Sequence, residues 1–285
     1  MKEFKDKVAV ITGAGNGFGA EFAKECARRS MKMVIVDIDE ADVNRTLATV
    51  KEMGAEATAV VADVSLPEEV QKMVDTAMNT YGRIDLLFNN AGVAIPGNIL
   101  NVPERDWEWI MHINVFSQVY AMKRVIPIMK AQGTPCHIVN TASVAGVVTA
   151  DGMPAYHTSK FAAVALSESV YYDLQHDGID NIGMSVYCPG FVQTDLNNCE
   201  RHRPDRFKAP EDPYYASAEF KKGQAIAKHV IETGIPIDSV ATSVFNAIED
   251  NEFYILTHPQ YTPLIGGRVK NMLAGKGPDF KALRG

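Results

Sequence analysis

The 285-residue sequence predicts an α/β fold: a doubly wound parallel sheet of about seven strands with helices on both faces, folded as a single domain. Three observations carry that expectation. Short apolar runs alternate with longer stretches of helical spacing, the rhythm of successive strand–helix–strand units. A glycine-rich turn joins the first apolar run to the first helical stretch. The second apolar run ends in an aspartate.

Taken in order, Val8-Ala9-Val10-Ile11 reads as a buried strand, Thr12-Gly13-Ala14-Gly15-Asn16-Gly17-Phe18-Gly19 as the turn, and Ala20 to Arg29 as the helix. Glycines let the backbone turn sharply and approach a pyrophosphate, whose charge is met by free N–H groups and the positive end of the helix dipole. The next run, Met33 to Val36, closes on Asp37, twenty-four residues after Gly13 and near the spacing of a ribose-binding carboxylate. Such a carboxylate accepts both adenosine ribose hydroxyls and repels a 2′-phosphate. No Arg or Lys stands at Ile38, Asp39 or in the glycine turn to neutralise one, so NAD is expected over NADP. A plain N-cap or turn role for Asp37 would leave its position at the strand end unexplained. Further along, Asp63-Val64 follows a third strand, Asn89-Asn90-Ala91-Gly92 a fourth, Ser143 the strand His137 to Asn140, and Pro189-Gly190-Phe191-Val192-Gln193-Thr194 the strand Met184 to Tyr187. Helical stretches fill the gaps at Leu66 to Tyr81, Pro103 to Gln132, with Asn114 inside it, and Ala155 to His176.

That last helix carries Tyr156 and Lys160, four residues apart and so on one face. A phenol titrating near pH ~10 is a poor acid or base at neutrality, and a neighbouring ammonium stabilises its phenolate and lowers that pKa. The pair reads as general acid/base machinery. Alone, Tyr-x-x-x-Lys is common by chance, and the surrounding motifs give it weight. His157 lies beside Tyr156 but points off the Tyr/Lys face and is expected to be non-catalytic.

With these motifs assembled, the chain resembles the short-chain dehydrogenase/reductase family from about Lys5 to Thr194. Gly13, Gly17 and Gly19 match Thr-Gly-x-x-x-Gly-x-Gly, and the other motifs follow in family order. The resemblance implies a Rossmann fold in which Tyr156 exchanges a proton with the substrate oxygen and Ser143 hydrogen-bonds that oxygen. It implies that Lys160 binds the nicotinamide ribose and depresses the Tyr156 pKa, and that Asn114 helps hold a water beside Lys160. Asp63 and Val64 would frame the adenine, Asn90, Ala91 and Gly92 the adenosine-side ribose and sheet edge, and Val192 and Thr194 the carboxamide. Gly13, Asn16, Gly17, Phe18, Gly19, Asp37, Ile38, Pro189 and Gly190 complete the expected NAD site. Each residue also has a plain structural role open to it: Ser143 starting a loop, Asn114 capping or kinking a helix, Asp63 making a turn.

A net charge of −7 with no basic cluster argues against a nucleic-acid partner. The charged start Met1 to Lys7 runs straight into the first strand, with no apolar segment for a signal peptide or membrane span, so a cytoplasmic protein is the default expectation. Cys26, Cys136, Cys188 and Cys199 are widely spaced with no metal-like pattern, and no metal is expected. Cys188 and Cys199 near the expected pocket invite a reactive role, against the plainer reading of buried thiols.

Residues 195–237 form a connection too long for an ordinary loop, polar and Pro-containing at first and helical in spacing from Tyr214 to Ile231. A substrate-covering lid is expected there, with a surface excursion or a subunit contact as the alternative. Ala145, Val148, Met153, Phe191 and Tyr214 or Tyr215 are expected to line the substrate pocket beside Ser143 and Tyr156. Their apolar character favours a hydrophobic secondary alcohol or its ketone, such as a hydroxysteroid or an aromatic alcohol. Glu252 to Thr257 reads as the seventh strand, and Gly267 to Ala274 as a further helix before a basic tail. By resemblance, a homodimer through the 103–132 and 155–176 helices is expected, with a homotetramer as the alternative. Competing functions are an NAD-sensing regulator without turnover, a polyol or sugar dehydrogenase, and an epimerase or dehydratase. The intact Ser143, Tyr156, Lys160 and Asn114 set disfavours the first, and the glycine spacing disfavours the last.

Overall fold

The structure is a computed structural model that describes residues 1–279, so residues 280–285 at the end of the basic tail lie outside it. Seven strands, β1 (Val8–Thr12), β2 (Lys32–Asp37), β3 (Ala57–Val61), β4 (Leu86–Asn89), β5 (Cys136–Thr141), β6 (Ile182–Tyr187) and β7 (Tyr254–Ile255), form one parallel sheet in the order β3-β2-β1-β4-β5-β6-β7. Strand order reverses between β1 and β4, where Val10 pairs with Val34 on one side and Leu87 on the other. At such a reversal the connections leave to opposite faces and open a crevice above the strand ends.

The central strands are mostly apolar because both faces of the sheet are covered. Alternate residues of β1 and β2 serve opposite cores: Val10, Val34 and Val36 pack with α3 (Pro67–Tyr81), α4 (Glu104–Met111) and α5 (Ser117–Gln132). Ala9, Ile11, Met33 and Ile35 pack with α1 (Gly17–Arg28), α2 (Glu40–Glu52) and α9 (Val240–Asp250). In the second core Phe22 stacks on Phe88 at 4.5 Å and Phe245 leans on Phe88 at 5.7 Å. Each such fully buried ring contributes roughly 1.5–3 kcal/mol through burial.

Three segments differ from the sequence expectation. The single helix expected at 103–132 is α4 and α5 joined by a π-helical turn, His112–Phe116, centred on Asn114. The fully buried Asn114 carboxamide holds both the N–H and the C=O of Val93, at 2.9 and 3.0 Å, and the widened turn puts it there. The helical spacing from Tyr214 to Ile231 is interrupted: α7 (Pro213–Ala216) stops at Ser217, whose Oγ accepts the Phe220 N–H at 3.1 Å and starts α8 (Ala218–Glu232). The seventh strand shrinks to two residues, because the chain leaves the sheet edge to bring His258 Nδ1 to the Gly190 N–H at 3.0 Å. The long helix expected at 155–176 is α6 (Pro154–His176), and the last one is α10 (Thr262–Leu273). Among the described residues, no helix is long and apolar enough to cross a membrane, and no group of His, Cys, Asp or Glu is arranged to hold a metal ion.

Candidate active site

One cavity runs along the carboxyl ends of β1 to β6, from Asp37 and Asp63 at one end to Ser143 and Tyr156 at the other. At its β1 margin the backbone of Gly13 adopts φ +61°, and a Cβ there would stand 2.8 Å from the Ala91 Cα. A Cβ on Gly19 would strike the Gly13 carbonyl at 2.1 Å, so α1 approaches the turn only because both positions lack side chains. No side chain caps the first turn of α1. Its N–H groups and dipole end are left for an anion, and the glycine cradle leaves the space one needs. Thr12 Oγ1 ties the two strand ends together, accepting the N–H groups of Asn90 and Ala91 at 2.9 and 3.1 Å.

Asp37 is 7% exposed; its carboxylate accepts the Gly15 N–H at 2.8 Å and the Asp39 N–H at 3.1 Å. Burial raises its pKa, and the two backbone N–H groups and the nearby His202 work against that rise. The carboxylate is therefore fixed against the glycine turn. Asp63, expected to frame an adenine, has one oxygen on Ser65 N and Oγ, at 3.0 and 2.6 Å, and the other on Arg206 at 2.7 Å.

At the other end Ser143 sits in extended backbone just after β5. Its Oγ accepts the Ala145 N–H at 3.1 Å and donates to the Pro189 carbonyl at 3.3 Å. Tyr156 lies in the first turn of α6 with Lys160 one turn on, the Lys160 Nζ 5.7 Å from the Tyr156 ring centre and donating to the Thr141 carbonyl at 3.1 Å. Ser159 Oγ donates to the Tyr156 carbonyl at 2.8 Å and accepts from Asn114 Nδ2 at 2.9 Å, which ties the π-helical turn to this helix. A Cβ on Gly92 would lie 3.5 Å from both Asn114 Oδ1 and Lys160 Nζ, so the three converge.

Burial is the first cause of the shift in both groups. Burial pushes the Tyr156 phenol up to about 12, with the neighbouring Ser143 hydroxyl working the other way. Burial likewise brings Lys160 down to about 8. Desolvation disfavours the charged form of each group, and the Lys160 ammonium is turned toward the Thr141 carbonyl.

Gly13, Asn16, Gly17, Phe18, Asp37, Ile38, Asp63, Val64, Asn90, Ala91, Gly92, Ser143, Tyr156, Lys160, Pro189, Gly190, Val192 and Thr194 all line this cavity. Gly19 and Asn114 stand behind it. The substrate-side expectation is corrected: Ala145, Val148, Met153, Phe191 and Tyr214 do not line it. Ala145 is tied down by its carbonyl to His157 Nδ1 at 3.0 Å, while Phe191 turns outward, 46% exposed. The Tyr214 hydroxyl donates to the Pro96 carbonyl, with its ring against Tyr215 and Phe220. Val93, Trp109, Ile113, Leu196, Cys199 and Ile231 supply the apolar wall instead. His157 uses its other nitrogen to accept the Ala150 N–H at 3.0 Å, so both ring nitrogens staple the 145–150 loop. The Cys188 and Cys199 thiols are buried and pushed up to about 12, so they are not nucleophiles at neutral pH.

Four residues went unread in the sequence: Arg201, His202, Arg203 and Arg206. Arg203, 5% exposed, pairs with Asp106 at 2.6 Å and Glu200 at 2.7 Å and lies 3.9 Å above the Trp109 ring. The segment Arg201 to Arg206 was visible as polar and charged, but not its distant partners Asp42, Asp106 and Asp63, which lie about 100 to 160 residues away in the chain.

The family model for short chain dehydrogenases matches residues 7–205. The chain belongs to the short-chain dehydrogenase family. A CLA biosynthesis dehydrogenase/reductase from Lactiplantibacillus plantarum is 55% identical over 285 residues, covering 100% of this chain and 99% of that protein. A short-chain dehydrogenase/reductase from Burkholderia phymatum, solved in complex with NAD, superposes with a TM-score of 0.94 at 38% identity, covering 98% of each chain. A 3beta-hydroxysteroid dehydrogenase from Eggerthella lenta is 31% identical over 215 residues, 74% of this chain and 81% of that protein. Within this family the chain is an oxidoreductase, and its fold extends through the 195–237 segment and α10 much as in the Burkholderia enzyme.

Proposed function

We propose that this short-chain dehydrogenase interconverts a hydrophobic secondary alcohol and its ketone with NAD, with Tyr156 as the proton donor and acceptor. The observation that carries the reading is the convergence of Ser143, Tyr156 and Lys160 at one end of an apolar cavity whose other end presents the Asp37 carboxylate. NAD, when bound, takes or returns the hydride. The chain orients the reacting carbon, excludes water and moves the proton. Ser143 holds the substrate oxygen, Tyr156 hands it a proton or removes one, Lys160 stands beside the ribose, and Asn114 anchors the turn behind Lys160.

NAD is favoured over NADP by the charge around Asp37. Asp39, Asp42 and Asp195 share Arg201, with Arg45 also on Asp42, while Asp37 is held by backbone N–H groups, so negative charge is in excess. A 2′-phosphate would meet no free cation there among the described residues. The Asp37→Ala variant is expected to bind NAD about tenfold more weakly and to narrow the NAD/NADP preference by a similar factor; unchanged discrimination in paired Kd measurements would overturn the role of Asp37.

A hydrophobic substrate is supported by Val93, Ala142, Leu196, Cys199 and Ile231 in the wall and by Lys160 as the sole lysine or arginine among the described lining residues. The hydroxysteroid relative and the one named for CLA biosynthesis fit that character. We read residues 195–237 as the lid: Asp195, Leu196, Cys199, His202 and Ile231 all face the cavity. The test is NADH formation at 340 nm with NAD and then NADP, across hydroxysteroids, aromatic secondary alcohols, long-chain hydroxy acids, sugars and polyols. Turnover confined to the apolar alcohols with NAD supports the reading. Preference for polyols would overturn the substrate class, and NAD binding with no turnover on any member would favour a sensor.

A further inference from the structure

The first part of the 195–237 segment does not stop at the substrate end. Its 3₁₀ turns, Leu196–His202 and Asp205–Phe207, lie along the cavity toward the ends of β2 and β3, where the adenosine of a dinucleotide would sit in the reading above. Two arginines latch it to the acidic rim at two separate points. Arg201 binds Asp42, Asp39 at 3.3 Å and Asp195 at 2.8 Å, bridging the segment to the N-terminal turn of α2. Arg206 binds Asp63 at 2.7 Å and the Ser65 hydroxyl after β3. Cys199 adds a third attachment, its thiol donating to the Ala94 carbonyl at 3.3 Å just past the Asn-Asn-Ala-Gly turn.

Between the two latches stands His202. It lines the same cavity as Asp37, Ile38, Asp63 and Val64, with a side chain 16% exposed. Its nearest charged groups are the Asp39 and Asp42 carboxylates at 4.0 Å, too far for a hydrogen bond, and its Nδ1 is buried without a partner. A buried ring nitrogen without a partner, beside a fixed carboxylate in a nucleotide-sized groove, has a use there once a ligand with hydroxyl or ring-nitrogen groups arrives.

We propose that His202 is a binding residue for the adenosine half of the cofactor, delivered by a strap that Arg201 and Arg206 latch over that half of the groove. The assignment rests on the nucleotide-binding reading of the cavity. It gives one segment two duties: its later helices close the substrate end, and its first turns close the adenosine end. NAD then enters and leaves only when the strap unlatches, so cofactor exchange is governed by ion pairs at the surface and slows at low ionic strength, where those pairs are least screened.

The test uses the full chain and ADP-ribose, which contains the adenosine half and needs no substrate. His202→Ala is expected to raise the ADP-ribose Kd about tenfold, His202→Asn to recover much of the loss, and nicotinamide mononucleotide, displaced by NADH in competition, to bind as before. A Kd within twofold of wild type, or equal weakening toward both ligands, would overturn the assignment. Arg206→Gln provides an independent readout if His202→Ala does not fold. Stopped-flow release of NADH should quicken several-fold, and unchanged release would overturn the strap. Failure of the wild-type chain to bind either ADP-ribose or NAD would instead overturn the nucleotide reading itself.

Discussion

Replacing Tyr156 with phenylalanine is expected to lower turnover by about 10²- to 10⁴-fold, the usual contribution of a positioned general acid or base, with NAD affinity within about twofold of wild type. The ring survives in that variant and only the hydroxyl is lost, so a fall in kcat without loss of NAD binding isolates the proton step. A fully active variant would end the assignment. The pH profile follows from the two buried groups. With the phenol pushed up to about 12, Tyr156 is protonated at neutral pH, the form that donates to a ketone. Lys160, brought down to about 8, keeps its charge below that pH and sheds it above. Ketone reduction, which needs the protonated phenol, should therefore hold across the neutral range. Alcohol oxidation, which needs a proton acceptor, should climb with pH over the neutral range. Measured kcat/KM profiles in the two directions should diverge, and Tyr156→Phe should flatten the rise in oxidation; parallel profiles would argue against a shared proton donor and acceptor.

The second large effect is expected at Arg203. Its guanidinium is enclosed by Asp106, Glu200 and the Trp109 ring, with Tyr215 also hydrogen-bonded to Asp106. Removing it in Arg203→Ala leaves Asp106, which is fully buried, as an uncompensated carboxylate; such a loss costs about 3–5 kcal/mol. Because Asp106 lies on α4 and Arg203 on the segment over the cavity, the expected outcome is release of the strap together with a drop in thermal midpoint. Protease nicking within 195–217 should rise in the variant. The double variant Arg203→Met, Asp106→Leu should recover much of the stability, since it removes both charges. Equal stability of Arg203→Ala and wild type would show that the pair is solvent-relaxed.

How much of this was legible before the structure depends on the range of the interaction. The strands were legible because a sheet covered on both faces requires unbroken apolar runs, and Val8 to Ile11 and Met33 to Val36 have them. Gly13 and Gly19 were legible because a side chain at either position would meet backbone atoms. Tyr156 and Lys160 were legible because helix geometry alone puts residues four apart on one face. The π-helical turn at Asn114 was not, since it follows from hydrogen bonds to Val93 on another element. The same holds for the substrate wall: the residues chosen by apolar type, Ala145, Met153, Phe191 and Tyr214, had no local signal saying which way they face, and packing turned them away.

The direction of the Tyr156 shift is the sharpest case of this division. Spacing shows that an ammonium is near a phenol, but the balance between their attraction and the cost of burial depends on how much water the completed fold removes, and no local pattern contains that quantity. The amino-acid order was enough to predict a parallel doubly wound sheet and a glycine turn from strand and helix periodicity, and to place Tyr156 and Lys160 on one helix face; the roles of Asp37, Ser143, Tyr156 and Lys160 came from the family resemblance of the motifs taken together. Folding settled which apolar residues wall the cavity, how far the buried Tyr156 and Lys160 shift, and that Arg201, Arg203 and Arg206 carry a distant segment across the groove, because each of these depends on groups brought together from far apart in the chain.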